Sequence, residues 1–447
     1  MKILGIANDE TSSACLFVDG VLAAAVSEER FSRKKMDESF PDRSIQYCLS
    51  SAGITIEEVD VISYGWSKGY PEDILTQDLI RYEAISTKAG KDVFIERVKI
   101  EQKQDAVPRS EFWNWIGHAN LGVGVKVEDF YHHESHAFSA CMMSGLGKSA
   151  VLTCDGRGDY ESLTFSVFDP ITFSLKKLFS SSSVDSLGFF YGRITGLLGF
   201  KPCRHEGKIT GLAAFGNCDE TLPLMKKMID FDGDKIVSNL GDYYRPFYTE
   251  YSDLLVAEVQ GFSKEDISAG AQKHLELCLT SLVKHLYNKF DLDGLPLCLA
   301  GGVFGNVKVN QRLKELDCVR EIFVQPHMGD GGLAIGAACA SLAQRKLDAK
   351  FQPSMALGPL GGSDVDINEL QNEYENSINF ELLEDGDLVE KMVDELNKDK
   401  VIGLVRGRLE FGPRALCQRS ILYKTSDASC NDWLNQRMNR TEFMPFA

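Results

Sequence analysis

Alternating apolar and polar positions predict strands over residues 2–8 and 14–27, the latter turning back on itself at Asp19-Gly20. The arrangement returns at residues 149–154 and 162–178, where a strand runs into Asp155-Gly156 and a strand pair turns near Asp169-Pro170. Two three-stranded openings, each followed by helical stretches, predict an α/β protein with an internal duplication. Over residues 265–290, Ala269, Leu275, Cys278, Leu279, Leu282 and Leu286 recur at helical spacing, which predicts a long helix with those side chains in a core. The run from Gln352-Pro353 to Gly362 holds two Pro and three Gly and reads as a linker; a charged helix near 383–398 and a strand at 400–405 follow it. The expected division is a first domain at 1–355, a linker at 356–378 and a second domain at 379–447.

A chain of 447 residues, 44% of them hydrophobic, has enough apolar surface for one large or several medium cores. Its net charge of −17 argues against nucleic acid or an anionic membrane as partner, since both need a basic face. No stretch approaches the ~20 apolar residues of a membrane span. The twelve Cys form no CxxC pair, and Cys15, Cys154, Cys298 and Cys339 sit in apolar runs, as reduced thiols of a cytoplasmic protein would. A homodimer is one assembly open to such a chain.

Against this acidic background, Gly407-Arg408-Leu409-Glu410-Phe411-Gly412-Pro413-Arg414 followed by Arg419-Ser420 gathers three guanidinium groups around a Gly-Pro turn. Arg forks match phosphate or carboxylate oxygens two at a time, so Arg408, Arg414 and Arg419 are candidate anion ligands, with a solvated basic loop as the plain alternative. A second cluster is Tyr131-His132-His133-Glu134-Ser135-His136. On a helix, His132 and His136 share one face at i, i+4, the spacing of a divalent-metal pair, though histidines so placed also serve as plain structure. Asp155 and Asp330, each beside a Gly at a strand end, are candidate carboxylates to complete the site, with a common Asp-Gly turn as the plain alternative for either alone; Asp330 follows a strand at Glu321–Gln325 and precedes a helix from about Leu333. Candidate nucleotide-contacting positions are Asp155, Gly156, Gly158, Gly301, Gly302, Asn306, Gly331 and Gly332, because glycines at strand-to-helix turns admit close backbone approach.

The Arg-rich run resembles a signature of the O-carbamoyltransferases of the nodulation and antibiotic-tailoring type. Asp432-Trp433-Leu434-Asn435 and Arg440 to Ala447 resemble a further block of that family, HHxxHA at His132 its histidine pair, and Glu206-Gly207-Lys208 with Gly211-Leu212-Ala213 its E-x-K-x-x-G-L-A segment. The resemblance implies an actin-like, duplicated two-lobed domain followed by the start of an incomplete α+β YrdC-like domain. It implies a divalent metal, Fe2+ foremost, on His132, His136, Asp155 and Asp330, with ATP, its Mg2+ and carbamoyl phosphate as co-substrates. A carbamoyl group would pass through carbamoyl-adenylate to the hydroxyl of a small-molecule acceptor near Glu206 and Lys208. A cut second domain implies a chain limited to the transfer half. Where many family members carry His-Asp after the first strand, this chain has Asn8-Asp9-Glu10-Thr11-Ser12, so Asp9 or Glu10 becomes the candidate base. That turn resembles the threonylcarbamoyl transferases that modify tRNA, a second reading; a catalytically degenerate actin-like nucleotide-binding module is a third.

Overall fold

Lys2–Ala7 (β1), Ser13–Val18 (β2) and Val21–Ser27 (β3) form an antiparallel meander, and Val61–Tyr64 (β4) and Lys126–Asp129 (β5) extend it in parallel from β1. The sheet order is β3-β2-β1-β4-β5. Positive φ at Asp19 (50°) and Gly20 (77°) makes the β2–β3 connection a two-residue turn whose twist suits a hairpin. This computed structural model describes residues 1–66, 68–246, 251–350, 354–361, 367–374, 377, 379, 381, 383–425 and 429–438.

The second lobe repeats the plan. Ser149–Gly158 (β6), Glu161–Asp169 (β7) and Ser174–Ser182 (β8) form the meander, and a short hairpin, Ile229–Phe231 (β9) with Ile236–Ser238 (β10), lies outside this sheet. Leu297–Ala300 (β11) and Ile322–Val324 (β12) continue in parallel from β6, giving the order β12-β11-β6-β7-β8. Strand order and direction therefore match between the lobes, and the duplication expected from the apolar pattern is present. One detail differs: β6 does not end at Asp155-Gly156 but runs to Gly158, with an irregular register between Cys154 and Gly158. Asp155 stands in that irregularity, which turns its side chain out of the ladder. The tight turn comes later, at Asp159 (φ 50°) and Tyr160 (φ 67°).

Each lobe closes with a helix that packs on the other lobe's sheet. His132–Met143, which follows β5, lies on β6, β7 and β11; Leu333–Gln344, which follows β12, lies on β1, β2 and β4. The two helices touch closely where a Cβ on Gly336 would sit 1.9 Å from the Ser135 carbonyl oxygen, and the second helix packs as closely on β1, where a Cβ on Gly5 would sit 2.0 Å from the Ala334 carbonyl oxygen. The long helix Lys264–Lys289 buries Leu275, Cys278, Leu279, Leu282 and Leu286 in the second lobe's core, as its spacing predicts.

The chain divides into two compact units, Met1–Gln352 and Pro353–Ala447. Within the second unit, Ala356–Leu360 (β13) pairs antiparallel with Arg408–Glu410 (β15), and Ile402–Val405 (β14) with Arg419–Leu422 (β16). Residues 356–360, assigned to the linker above, are thus a strand, and Ile367–Tyr374 is a helix. The Pro and Gly mark an irregular, closely packed strand instead: the register shifts between Ala356 and Leu360, and a Cβ on Gly358 would meet the Leu409 Cβ at 2.9 Å. Asp385–Asn397 is the charged helix. The block from Arg440 to Ala447 lies outside the described residues.

Candidate metal centre

The crossed closing helices bring four separated residues to one point. His132 and His136 occupy the first two turns of their helix, Asp155 the irregular end of β6, and Asp330 the turn before Leu333. One ligand atom from each lies within 4.8 Å of all the others. His136 Nε2 is 3.2 Å from Asp155 Oδ2 and 3.5 Å from Asp330 Oδ1; His132 Nε2 is 3.8 and 3.9 Å from the same two oxygens. Both imidazoles are fully buried, and none of their four ring nitrogens has an aligned hydrogen-bond partner. Buried ring nitrogens without well-aligned hydrogen bonds are costly, whereas two imidazoles and two carboxylates converging on one point suit Fe2+ or a neighbouring divalent ion. The residues present fit such an ion.

The surroundings fix these side chains. Asp159 Oδ2 accepts from the His132 backbone N–H (2.8 Å), and its Oδ1 from Gly69 N (2.8 Å), which ties the start of the helix to the turn after β6. His133 Nδ1 pairs with Thr153 Oγ1 at 2.8 Å, and the Trp66 ring meets His132 edge-on at 4.5 Å. Gly158 is required by contact, since a Cβ there would fall 2.0 Å from His132 Cγ. His133, Asp159 and Trp66 were not among the sequence candidates; the available signal was that Asp159 ends the same Asp155-Gly156-Arg157-Gly158-Asp159 run.

Burial works against ionisation of Asp155, yet the two imidazoles prevail and hold its carboxyl well below the usual range. Asp330 is pushed up to about 7 by burial and by Asp155. His132 falls to about 4 through burial, while Asp155 and Asp330 overcome burial at His136 and raise it to about 9. Asp9 and Glu10 follow β1 and are half-buried; burial lifts both to about 8, with Asp330 next in weight for Glu10 and Arg157 opposing the rise in Asp9.

Other candidates have local duties. Gly302 N donates to Asp155 Oδ2 (3.0 Å), and Gly156 N to Asp155 Oδ1 (2.8 Å). Gly301, with φ 106°, packs on the Cys154 backbone, and Gly331 and Gly332 pack on His327. Asn306 caps the helix Val307–Lys314 through Lys308 N and Val309 N and exchanges hydrogen bonds with Gln272. Glu206 accepts from Cys203 N (2.7 Å), and Lys208 is buried with its Nζ 5.5 Å from the Phe200 ring centroid. In the second unit, Arg408 donates to the carbonyls of Leu357 and Gly358, and Arg419 to those of Arg406, Gly407 and Gln418. Those two guanidinium groups lace loop backbone together, a competition for Arg forks that sequence spacing does not reveal; Arg414 is exposed.

Duplicated lobes with a His2Asp2 cluster at their junction, its imidazoles buried, define a two-lobed α/β protein with a candidate metal centre. The chain belongs to the carbamoyltransferase family: residues 2–339 match the model of the carbamoyltransferase N-terminus and residues 393–447 that of the C-terminus, and it is accordingly a transferase. It is 30% identical to an uncharacterized protein of Methanocaldococcus jannaschii, over 100% of this chain and 77% of that one. It is 30% identical to the nodulation protein NolNO of Sinorhizobium fredii, over 97% of this chain but 61% of that protein's length. Among solved structures, component A of the (R)-2-hydroxyglutaryl-CoA dehydratase of Acidaminococcus fermentans covers 77% of this chain and is itself covered to 99%, at 17% identity and a TM-score of 0.40. No described helix is long and apolar enough to cross a membrane.

Proposed function

We propose that the protein transfers a carbamoyl group to an acceptor hydroxyl, with ATP and carbamoyl phosphate as co-substrates and carbamoyl-adenylate between them. The observation that carries this reading, beside the family, is the His132, His136, Asp155 and Asp330 set, whose ligand atoms lie within 4.8 Å of one another around two buried imidazoles. Those four side chains would hold the divalent ion, Fe2+ foremost, and when bound it would supply positive charge for the adenylate phosphate. The acceptor oxygen attacks the carbamoyl carbon, the bond from that carbon to the AMP oxygen breaks, and AMP leaves with the electron pair. The acceptor proton passes to Asp9 or Glu10, carboxyls whose raised proton affinity near neutral pH suits a base. Gly156, Gly158, Gly301, Gly302, Asn306, Gly331 and Gly332 are proposed to shape the nucleotide's surroundings through the backbone they bring close. Glu206 and Lys208 are assigned to the acceptor side, and Arg408, Arg414 and Arg419 to phosphate.

The test combines metal analysis of the purified chain with incubation in ATP, labelled carbamoyl phosphate and a panel of sugar and polyol acceptors. A labelled carbamate ester is expected, from both co-substrates or, where the chain carries out the transfer half alone, from labelled carbamoyl-adenylate added preformed. In a parallel incubation, transfer of label from added threonylcarbamoyl-adenylate to tRNA would select the threonylcarbamoyl-type reading, and a chain that retains neither metal nor nucleotide would be the degenerate module.

A further inference from the structure

Between β4 and β5 the first lobe sends out two helices, Glu72–Ala84 and Lys88–His118, and the longer one touches both lobes in turn. Its first half belongs to the second lobe. Phe94 enters that lobe's core, Arg97 and Glu101 bond Ser183 at 2.6 and 3.0 Å, and Arg81 of the preceding helix pairs with Asp185 at 3.3 Å. Its last part belongs to the first lobe. Phe112 stacks on Tyr64 with centroids 4.1 Å apart, Trp115 lies against Phe40, and Asn8 Nδ2 donates to the Pro108 carbonyl (3.1 Å) and to Glu111 (3.2 Å).

The changeover falls at residues 104–108. Pro108 lacks an N–H and cannot complete the helical bond to Gln104, a natural point for a bend. At that point Asp105 and Gln104 both take hold of Arg157: its Nη1 donates to Asp105 Oδ1 and its Nη2 to Gln104 Oε1 at 3.1 Å. Arg157 stands between Asp155 and Asp159, and its guanidinium lies 5.8 Å from the centroid of Trp66, the ring that abuts His132.

We propose that Asp105 and Gln104 are positioning residues: by clasping Arg157 from a strap anchored in both lobes, they set lobe closure and the geometry of the His132, His136, Asp155 and Asp330 cluster together. Its metal component rests on the reading of that cluster as a metal site. The chemistry is that of an outer shell, which orients ligands through bonds one residue removed from them. The Arg97, Asp78 and Glu101 network, buried to 1%, 2% and 0% exposure, locks the strap to the preceding helix and reaches the second lobe through Ser183, so a slip of the helix would leave charge unpaired in the interior.

The test uses the full chain and Co2+ as probe, since its visible bands report ligand geometry. Asp105→Asn keeps size and removes charge; Lys103→Ala, an exposed neighbour on the same helix, is the control. Wild type and Lys103→Ala are expected to share one Co2+ spectrum and affinity. Asp105→Asn, with unchanged circular dichroism, should bind Co2+ about tenfold more weakly with shifted bands. Amide exchange should rise in residues 153–159 and 8–12 and stay as it was in 278–286. Unchanged spectrum, affinity and exchange would overturn the proposal. If wild type takes up no Co2+, the metal reading falls by itself, and exchange then decides whether the clasp sets the turn. Should Asp105→Asn fail to fold, Gln104→Ala removes the more exposed arm alone and must shift exchange in the same direction, or the proposal fails.

Discussion

The two lobes share strand order, direction and a closing helix that crosses to the other sheet, yet their strand ends carry different chemistry. After β1 stand Asp9 and Glu10, half-buried carboxyls outside the four-residue cluster; at the equivalent end of β6 stands Asp155, inside it. After β5 come His132 and His136, and after β12, Asp330. One lobe thus supplies both imidazoles and the other both carboxylates. A duplicated fold gives two sets of strand ends facing one junction, and the divergence of those ends makes one composite site in place of two similar ones.

If the cluster is truly shared, breaking it from either side should do equal damage. His136→Ala and Asp330→Ala are each expected to lower retained divalent metal by at least about a hundredfold, by elemental analysis after dialysis, because three donors in place of four lose both affinity and geometry. Stoichiometric metal in either variant would end the assignment. Gly336→Ala probes the crossing itself. Its methyl would meet backbone at Ser135, which cannot give as a flexible side chain does, so a loss of about 3 kcal/mol is expected in denaturant unfolding. Gly158→Ala should cost ~1–3 kcal/mol and weaken metal binding about tenfold by displacing the His132 ring, whereas Gly156→Ala, whose Cβ would lie 3.2 Å from Phe189, should do less on both counts.

The smallest effect concerns pH. Burial pushes Glu161, at the start of β7, up to about 7 from 4.5 against the pull of Lys177. The folded protein therefore binds the extra proton between those values, and this stabilisation is complete below about 4.5 and is lost as pH rises through about 7. Glu161→Gln should remove that share of the pH slope, so that between pH 4.5 and pH 8 the variant gains stability on wild type, by about 1.4 kcal/mol for each unit by which the carboxyl is raised. An unchanged slope would mean that Lys177 already holds the carboxylate ionised against the repulsion of Asp73.

The alternating strands, the Asp19-Gly20 turn and the 264–289 helix were legible because each follows from local pattern: period two for a pleated sheet, period 3.6 for a helix face, an Asp-Gly pair for a turn with positive φ. The four cluster residues were named from spacing together with family resemblance, and the fold places them within reach of one another. Less was legible where a side chain had two uses. Asn306 caps a helix, and Arg408 and Arg419 bind carbonyls, since donors and acceptors take whatever partners the folded chain presents. The linker assignment failed at 356–360 because a strand partner far along the chain, Arg408–Glu410, outweighs local Gly and Pro signals.

By itself, the sequence determined which segments alternate and which repeat, and which residue types were available to bind metal or anion. Only the tertiary structure decided that the closing helices cross, that Asp155 leaves its ladder through a register shift, and that the strap from 88 to 118 reaches both lobes. Those outcomes depend on contacts between residues far apart in the chain, Gly336 on Ser135 or Asp105 on Arg157, whose energies exist only once both sides are brought together.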